Sequence, residues 1–75
     1  MLISGLLIEM KETDKENALI EIRKIKGLEV TEEFDGNQIG LVLESKDTEE
    51  AVNTCNKISG LSEVKNLNLV YYHHV

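Results

Sequence analysis

Proline is absent from the sequence, cysteine occurs once, and basic residues are outnumbered, with 8 lysines and arginines against 14 aspartates and glutamates. Without proline there is no Pro-rich linker, and no low-complexity segment divides the chain. The lone Cys55 excludes an intrachain disulfide and any Cys-x-x-Cys metal or redox site, which fits a reducing compartment. A formal net charge of −6 repels phosphate backbones and anionic membrane surfaces, so nucleic acid is excluded as a partner. The same Coulomb term favours a cationic ligand, such as a basic peptide. No apolar run approaches the roughly 20 residues of a membrane span, so no membrane insertion is expected. Met1-Leu2-Ile3 lacks a basic flank and its apolar run breaks at Glu9, so it reads as a strand and not as a signal peptide. The expected location is the cytoplasm.

Catalytic signatures are missing as well. There is no Gly-rich phosphate loop, no Ser/His/Asp grouping and no zinc spacing. The one histidine pair, His73-His74, falls on an extended segment, where adjacent side chains point to opposite sides and do not converge on a metal. Cys55 lies on the inward stripe of a helix and reads as a small core hydrophobe. No catalytic residue, metal or cofactor is therefore expected. At 75 residues, a single domain spanning residues 1–75 is expected. Such a core supplies only about 3–5 kcal/mol of net stability. That suits a binding surface better than a deep catalytic pocket.

What is present is regular patterning. Leu2 to Met10 is apolar on nearly every position, the mark of a central strand covered on both faces. Thr13 and Glu16 form a capping box that opens a helix, whose stripe is Ala18, Leu19, Ile22 and Ile25 and whose stop is Gly27. Leu28, Val30 and Phe34 alternate with Glu29, Thr31 and Glu33, although Glu32 falls on the apolar parity. Asp35-Gly36-Asn37 is a turn, and Ile39, Leu41 and Leu43 alternate behind it, which makes a hairpin. Asp47 and Glu50 repeat the capping logic before a stripe of Ala51, Val52, Cys55 and Ile58, closed by Gly60. A last strand runs from about Glu63 to Tyr72, with Leu67, Leu69 and Tyr71 on one side and Asn68, Val70 and Tyr72 on the other.

The order is β-α-β-β-α-β. Lys24-Ile25-Lys26-Gly27-Leu28-Glu29-Val30 echoes Lys57-Ile58-Ser59-Gly60-Leu61-Ser62-Glu63-Val64, as two related βαβ halves would. Right-handed crossovers then give an α+β, ferredoxin-like sandwich with antiparallel strand order 4-1-3-2 and both helices on one face. The other face stays open. Parity assigns Gly5, Leu7, Glu9, Thr31, Glu33, Gly40, Val42, Glu44, Asn68, Val70 and Tyr72 to it. Leu7, Val42, Val70 and Tyr72 make an apolar strip, with Gly5 and Gly40 admitting a close partner and Glu9, Glu33 and Glu44 as an acidic rim. Such a strip suits an apolar segment carrying Arg or Lys at one end. The other readings are edge protection by the hairpin carboxylates, or burial of the strip in a homodimer.

Along nearly its whole length the chain resembles the NapD family. The resemblance rests on Ser4-Gly5-Leu6-Leu7-Ile8, Lys26-Gly27-Leu28-Glu29-Val30, Asn37-Gln38-Ile39-Gly40-Leu41-Val42-Leu43-Glu44, Lys46-Asp47-Thr48-Glu49-Glu50 and Leu69-Val70-Tyr71-Tyr72-His73-His74. The family's last strand closes with a Leu-Val-Tyr-His-type run, whereas here a second tyrosine separates Tyr71 from His73. The resemblance implies a ferredoxin-like fold and a cytoplasmic chaperone, not an enzyme. Its partner would be the twin-arginine signal peptide of the periplasmic nitrate reductase catalytic-subunit precursor, whose export it delays until the molybdenum cofactor is inserted. The chain would act as a monomer or weak homodimer. The alternative is an amino-acid-sensing regulatory module of the same fold. A heavy-metal carrier would need paired cysteines after the first strand, and Met10 to Asp14 contains none.

Overall fold

The computed structural model describes residues 1–11 and 15–75. Its elements are β1 (Leu2–Met10), α1 (Lys15–Arg23), β2 (Leu28–Phe34), β3 (Gln38–Ser45), α2 (Thr48–Ser59) and β4 (Val64–His74). The strands form one antiparallel sheet in the order β2-β3-β1-β4, which is the expected 4-1-3-2 arrangement. β1 is central because its helix-side residues Leu2, Leu6, Ile8 and Met10 are all buried. They meet Ile39, Leu41 and Leu43 of β3, Ala18, Leu19 and Ile22 of α1, and Ala51 and Ile58 of α2 in one apolar cluster. Ile8, Ile22, Ile39 and Ile58 have no exposed surface, so the cluster excludes water around its β-branched members.

The helices begin and end for identifiable reasons. The Asp47 carboxylate accepts from the Glu50 N–H at 2.9 Å, while Glu50 Oε1 accepts from the Lys46 N–H at 3.0 Å, one residue before the cap itself. Thr13, expected to cap α1, lies outside the described residues. α1 stops at Arg23, short of Ile25, which is half-buried beyond the helix and packs against the core all the same. Gly27 follows with φ +88°, and its carbonyl accepts from Glu44 N–H at 2.9 Å, which pins the start of β2 to β3. The sequence echo has a structural counterpart: Leu28 N–H donates to Ile25 O, as Leu61 N–H does to Ile58 O. Val52, expected on the inward stripe of α2, is exposed at the rim of a hollow between α2 and β4.

Three register shifts alter the outer strands, the first at the start of β4, where pairing steps from Met10↔Val64 to Glu9↔Asn66 and Lys65 is extra. In β4 the pairing steps from Gly5↔Tyr71 to Leu6↔Leu69, so Val70 is an extra residue. In β2 it steps from Val30↔Leu41 to Glu32↔Gly40, so Thr31 is extra. Each inserted residue inverts the parity of everything beyond it. Tyr72, expected on the open face, therefore pairs with Ser4 and lies on the helix side. Glu33, also expected on the open face, pairs with Ile39 and turns under α1, where Lys15 Nζ meets its Oε1 at 3.1 Å.

Candidate functional site

The open face is built from the register. β1 supplies Ile3, Gly5, Leu7 and Glu9, and β3 supplies Gln38, Gly40, Val42 and Glu44. β4 adds Asn66, Asn68, Tyr71 and His73, and β2 adds Glu29, Glu32 and Phe34. The bulge residues Thr31 and Val70 line the same surface. Nine of the eleven sequence-assigned residues thus stand on this face: Gly5, Leu7, Glu9, Thr31, Gly40, Val42, Glu44, Asn68 and Val70. Tyr72 and Glu33 do not.

The bulges bring in two aromatic rings that parity counting hides. Tyr71 lies over Gly5 so closely that a Cβ there would collide with its ring. Phe34 Cε2 would stand 3.4 Å from a Cβ on Gly40. The two glycines do not leave backbone free for a partner, as the sequence suggested, since the chain's own rings fill the space. Gly5 pairs with Val42 and Gly40 with Leu7, so a local two-fold between β1 and β3 exchanges the two glycines and the two aliphatics. The result is a shallow hollow of about 310 Å³, floored by Leu7 and Val42 and walled by Phe34 and Tyr71. Thr31 Oγ1 donates to Gly40 O at 3.1 Å and holds the β2 bulge against the floor.

Charge surrounds this apolar centre unevenly. Glu29 and Glu32 stand along β2, Glu9 at one end and Glu44 at the other, and Lys65, an extra residue in β4, borders the Glu9 end. The ion pairs among the described residues, Lys15–Glu33 and Lys24–Glu21, use none of these four carboxylates. Glu9 Oε1 accepts from Asn66 Nδ2 at 3.4 Å. Glu32 was missed in the sequence because β2 was counted without its extra residue, whereas Glu29, which precedes the bulge, shares the outward parity of Thr31 and was left out of the assigned set. The signals were there, since Glu32 broke the apolar alternation and a second tyrosine interrupted the β4 ending.

The groups that could do chemistry are poorly placed for it. His73 faces the open side opposite Ile3, while His74 lies on the helix side, edge-on to Tyr72 with ring centroids 6.3 Å apart. Among the described residues no three His, Cys, Asp or Glu side chains are grouped as metal ligands. Cys55 is half-buried on α2, and burial pushes its thiol pKa up, away from the thiolate a nucleophile needs. No helix among the described residues is long and apolar enough to cross a membrane.

No curated protein gives a significant match to the sequence. The family model described as NapD protein matches residues 1–75. The solution structure of the E. coli Tat proofreading chaperone protein NapD superposes with a TM-score of 0.86 at 20 % identity, covering 97 % of this chain and 78 % of that one. At that identity the likeness is one of fold.

Proposed function

The chain belongs to the NapD family, and from that premise we propose that it is a cytoplasmic chaperone for the twin-arginine signal peptide of a periplasmic nitrate reductase precursor. It is read as a binding protein and not as an enzyme. The observation that carries this reading is the open sheet face, apolar at its centre and bordered by Glu29 and Glu32 along β2, with Glu9 and Glu44 at its ends. A twin-arginine peptide has the complementary character, paired cations followed by an apolar segment.

The dimensions suit one helix. Outer strands of a four-stranded sheet lie about 14 Å apart at a spacing of about 4.8 Å, and a helix with side chains is about 10–12 Å across. Such a helix would seat its apolar side on Leu7, Val42 and Val70 between the rings of Phe34 and Tyr71. Its arginines would meet Glu29 and Glu32 along β2, or Glu9 and Glu44 at the ends, in charge-assisted hydrogen bonds. Covering the peptide hides it from the export machinery, and release follows by dissociation once the precursor has received its molybdenum cofactor.

Titration of the isotope-labelled protein with a synthetic twin-arginine peptide tests the reading. Amide shifts are expected at Gly5, Leu7, Gly40, Val42 and Tyr71. Shifts confined to α1 and α2 would overturn it.

A further inference from the structure

On the helix side of β1 one side chain differs from its neighbours. Leu2, Leu6, Ile8 and Met10 are apolar, whereas Ser4 between them puts a hydroxyl into the interior and is only 4 % exposed. None of the side-chain hydrogen bonds among the described residues uses that hydroxyl. A buried hydroxyl without a partner is unfavourable until something enters to bond it.

Ser4 lines a hollow of about 430 Å³ between α2 and β4, and two features of the chain open it. Above Ser4, α2 presents Ala51 and Cys55, one turn apart, so three small side chains meet where leucines and isoleucines fill the rest of the core. On β4 the extra residue Val70 sets the helix-side residues Leu69 and Tyr72 three positions apart instead of two, which widens the gap beside Ser4. Within the hollow Leu2, Ser4 and Ala51 are buried, while its other polar side chains, Thr48, Asn56, Tyr72 and His74, are exposed at the rim.

The lining selects a chemistry. No lysine, arginine, aspartate or glutamate belongs to it, so a charged ligand would lose its hydration without meeting a counter-ion. Apolar walls on the helix and on the sheet favour a flat, largely apolar body, and the rings of Tyr72 and His74, edge-on to each other at 6.3 Å, offer aromatic contacts at the entrance. The Ser4 hydroxyl calls for a single polar atom at the inner end. We infer that this hollow binds a neutral, flat aromatic small molecule whose one hydrogen-bonding group meets Ser4 Oγ. It lies on the opposite side of the sheet from Leu7 and Val42, so it stands independently of what the open face receives.

Indole, which is neutral, two rings wide and carries one N–H, is the probe, titrated into the isotope-labelled full chain. Saturable amide shifts are expected at Ser4, Ala51, Cys55 and Leu69, with Leu7 and Val42 unmoved. 1-Methylindole, which lacks the donor, should bind at least about fivefold more weakly, and indole-3-acetate, which adds a carboxylate, should also lose affinity. Ser4→Ala should bring indole and 1-methylindole to equal affinity. Ser45→Ala should leave the preference intact, because the Ser45 hydroxyl is also buried and unpartnered but lies outside the hollow. Shifts that do not saturate or that spread to the open face, equal affinity for indole and 1-methylindole in the unmodified chain, or a preference that survives Ser4→Ala would overturn the inference.

Discussion

A methyl group at Gly27 would meet the carbonyl oxygen of Glu44 at 2.5 Å, on a backbone whose φ of +88° already disfavours any side chain. Gly36 has a similar φ of +78° but nothing within 4 Å of the added carbon. Conformation and collision can therefore be separated. Gly36→Ala should cost about 1 kcal/mol in urea unfolding and Gly27→Ala about 2–3 kcal/mol, since only the latter must also displace backbone. Equal losses would mean the Glu44 contact relaxes freely. Gly5 differs again, because the atoms in its way belong to a half-exposed ring. Gly5→Ala should preserve the fold, swing Tyr71 off the sheet and reduce affinity for a twin-arginine peptide. An unchanged Tyr71 ring environment by NMR would contradict that geometry. Cys55 contributes a pH signature. Its folded pKa is raised by burial, so the unfolded chain loses the thiol proton first as pH rises. Stability should fall through the alkaline range, and the fall should be shallower in Cys55→Ala.

At the scale of elements, the bulges decide what the site is. Glu32 and Glu33 are neighbours in sequence, yet the inserted Thr31 leaves Glu32 on the open face and sends Glu33 to Lys15 under α1. Glu32→Gln should lower affinity for a cationic peptide several-fold, measured by calorimetry. Glu33→Gln should leave affinity unchanged and cost at most about 1 kcal/mol of stability, as expected for an exposed ion pair. The reverse ranking would mean that β2 pairs without its bulge. The physical cause of the irregularity is visible across the ladder. A glycine in a neighbouring strand leaves a gap on the open face, and a bulged outer strand can deliver a ring into it, as Tyr71 does over Gly5 and Phe34 over Gly40. The helices needed no such cooperation. Their caps and apolar stripes are local, which is why Asp47, Ala51 and Ile58 of α2 appear where periodicity places them.

For the molecule as a whole, the proposed docking of a basic segment on an acidic body predicts salt-sensitive association. Raising ionic strength from about 0.05 M to 0.5 M should slow peptide association markedly and change dissociation much less, read by stopped-flow fluorescence. Equal effects on both rates would mean that the carboxylates act by contact and not by steering. The sequence by itself determined the element order, the antiparallel 4-1-3-2 sheet, the helix-covered core of Leu6, Ile8, Ile22, Leu41 and Ile58, and the existence of an open face. Those features follow from periodicity and turn chemistry, which are properties of short stretches read in isolation. Only the tertiary structure decided which residues in the far halves of β2 and β4 look outward. Side-chain parity there depends on how many residues each strand spends against its neighbour, and that number is settled where Tyr71 meets Gly5 and Phe34 meets Gly40, between residues about 66 and 6 positions apart in the chain.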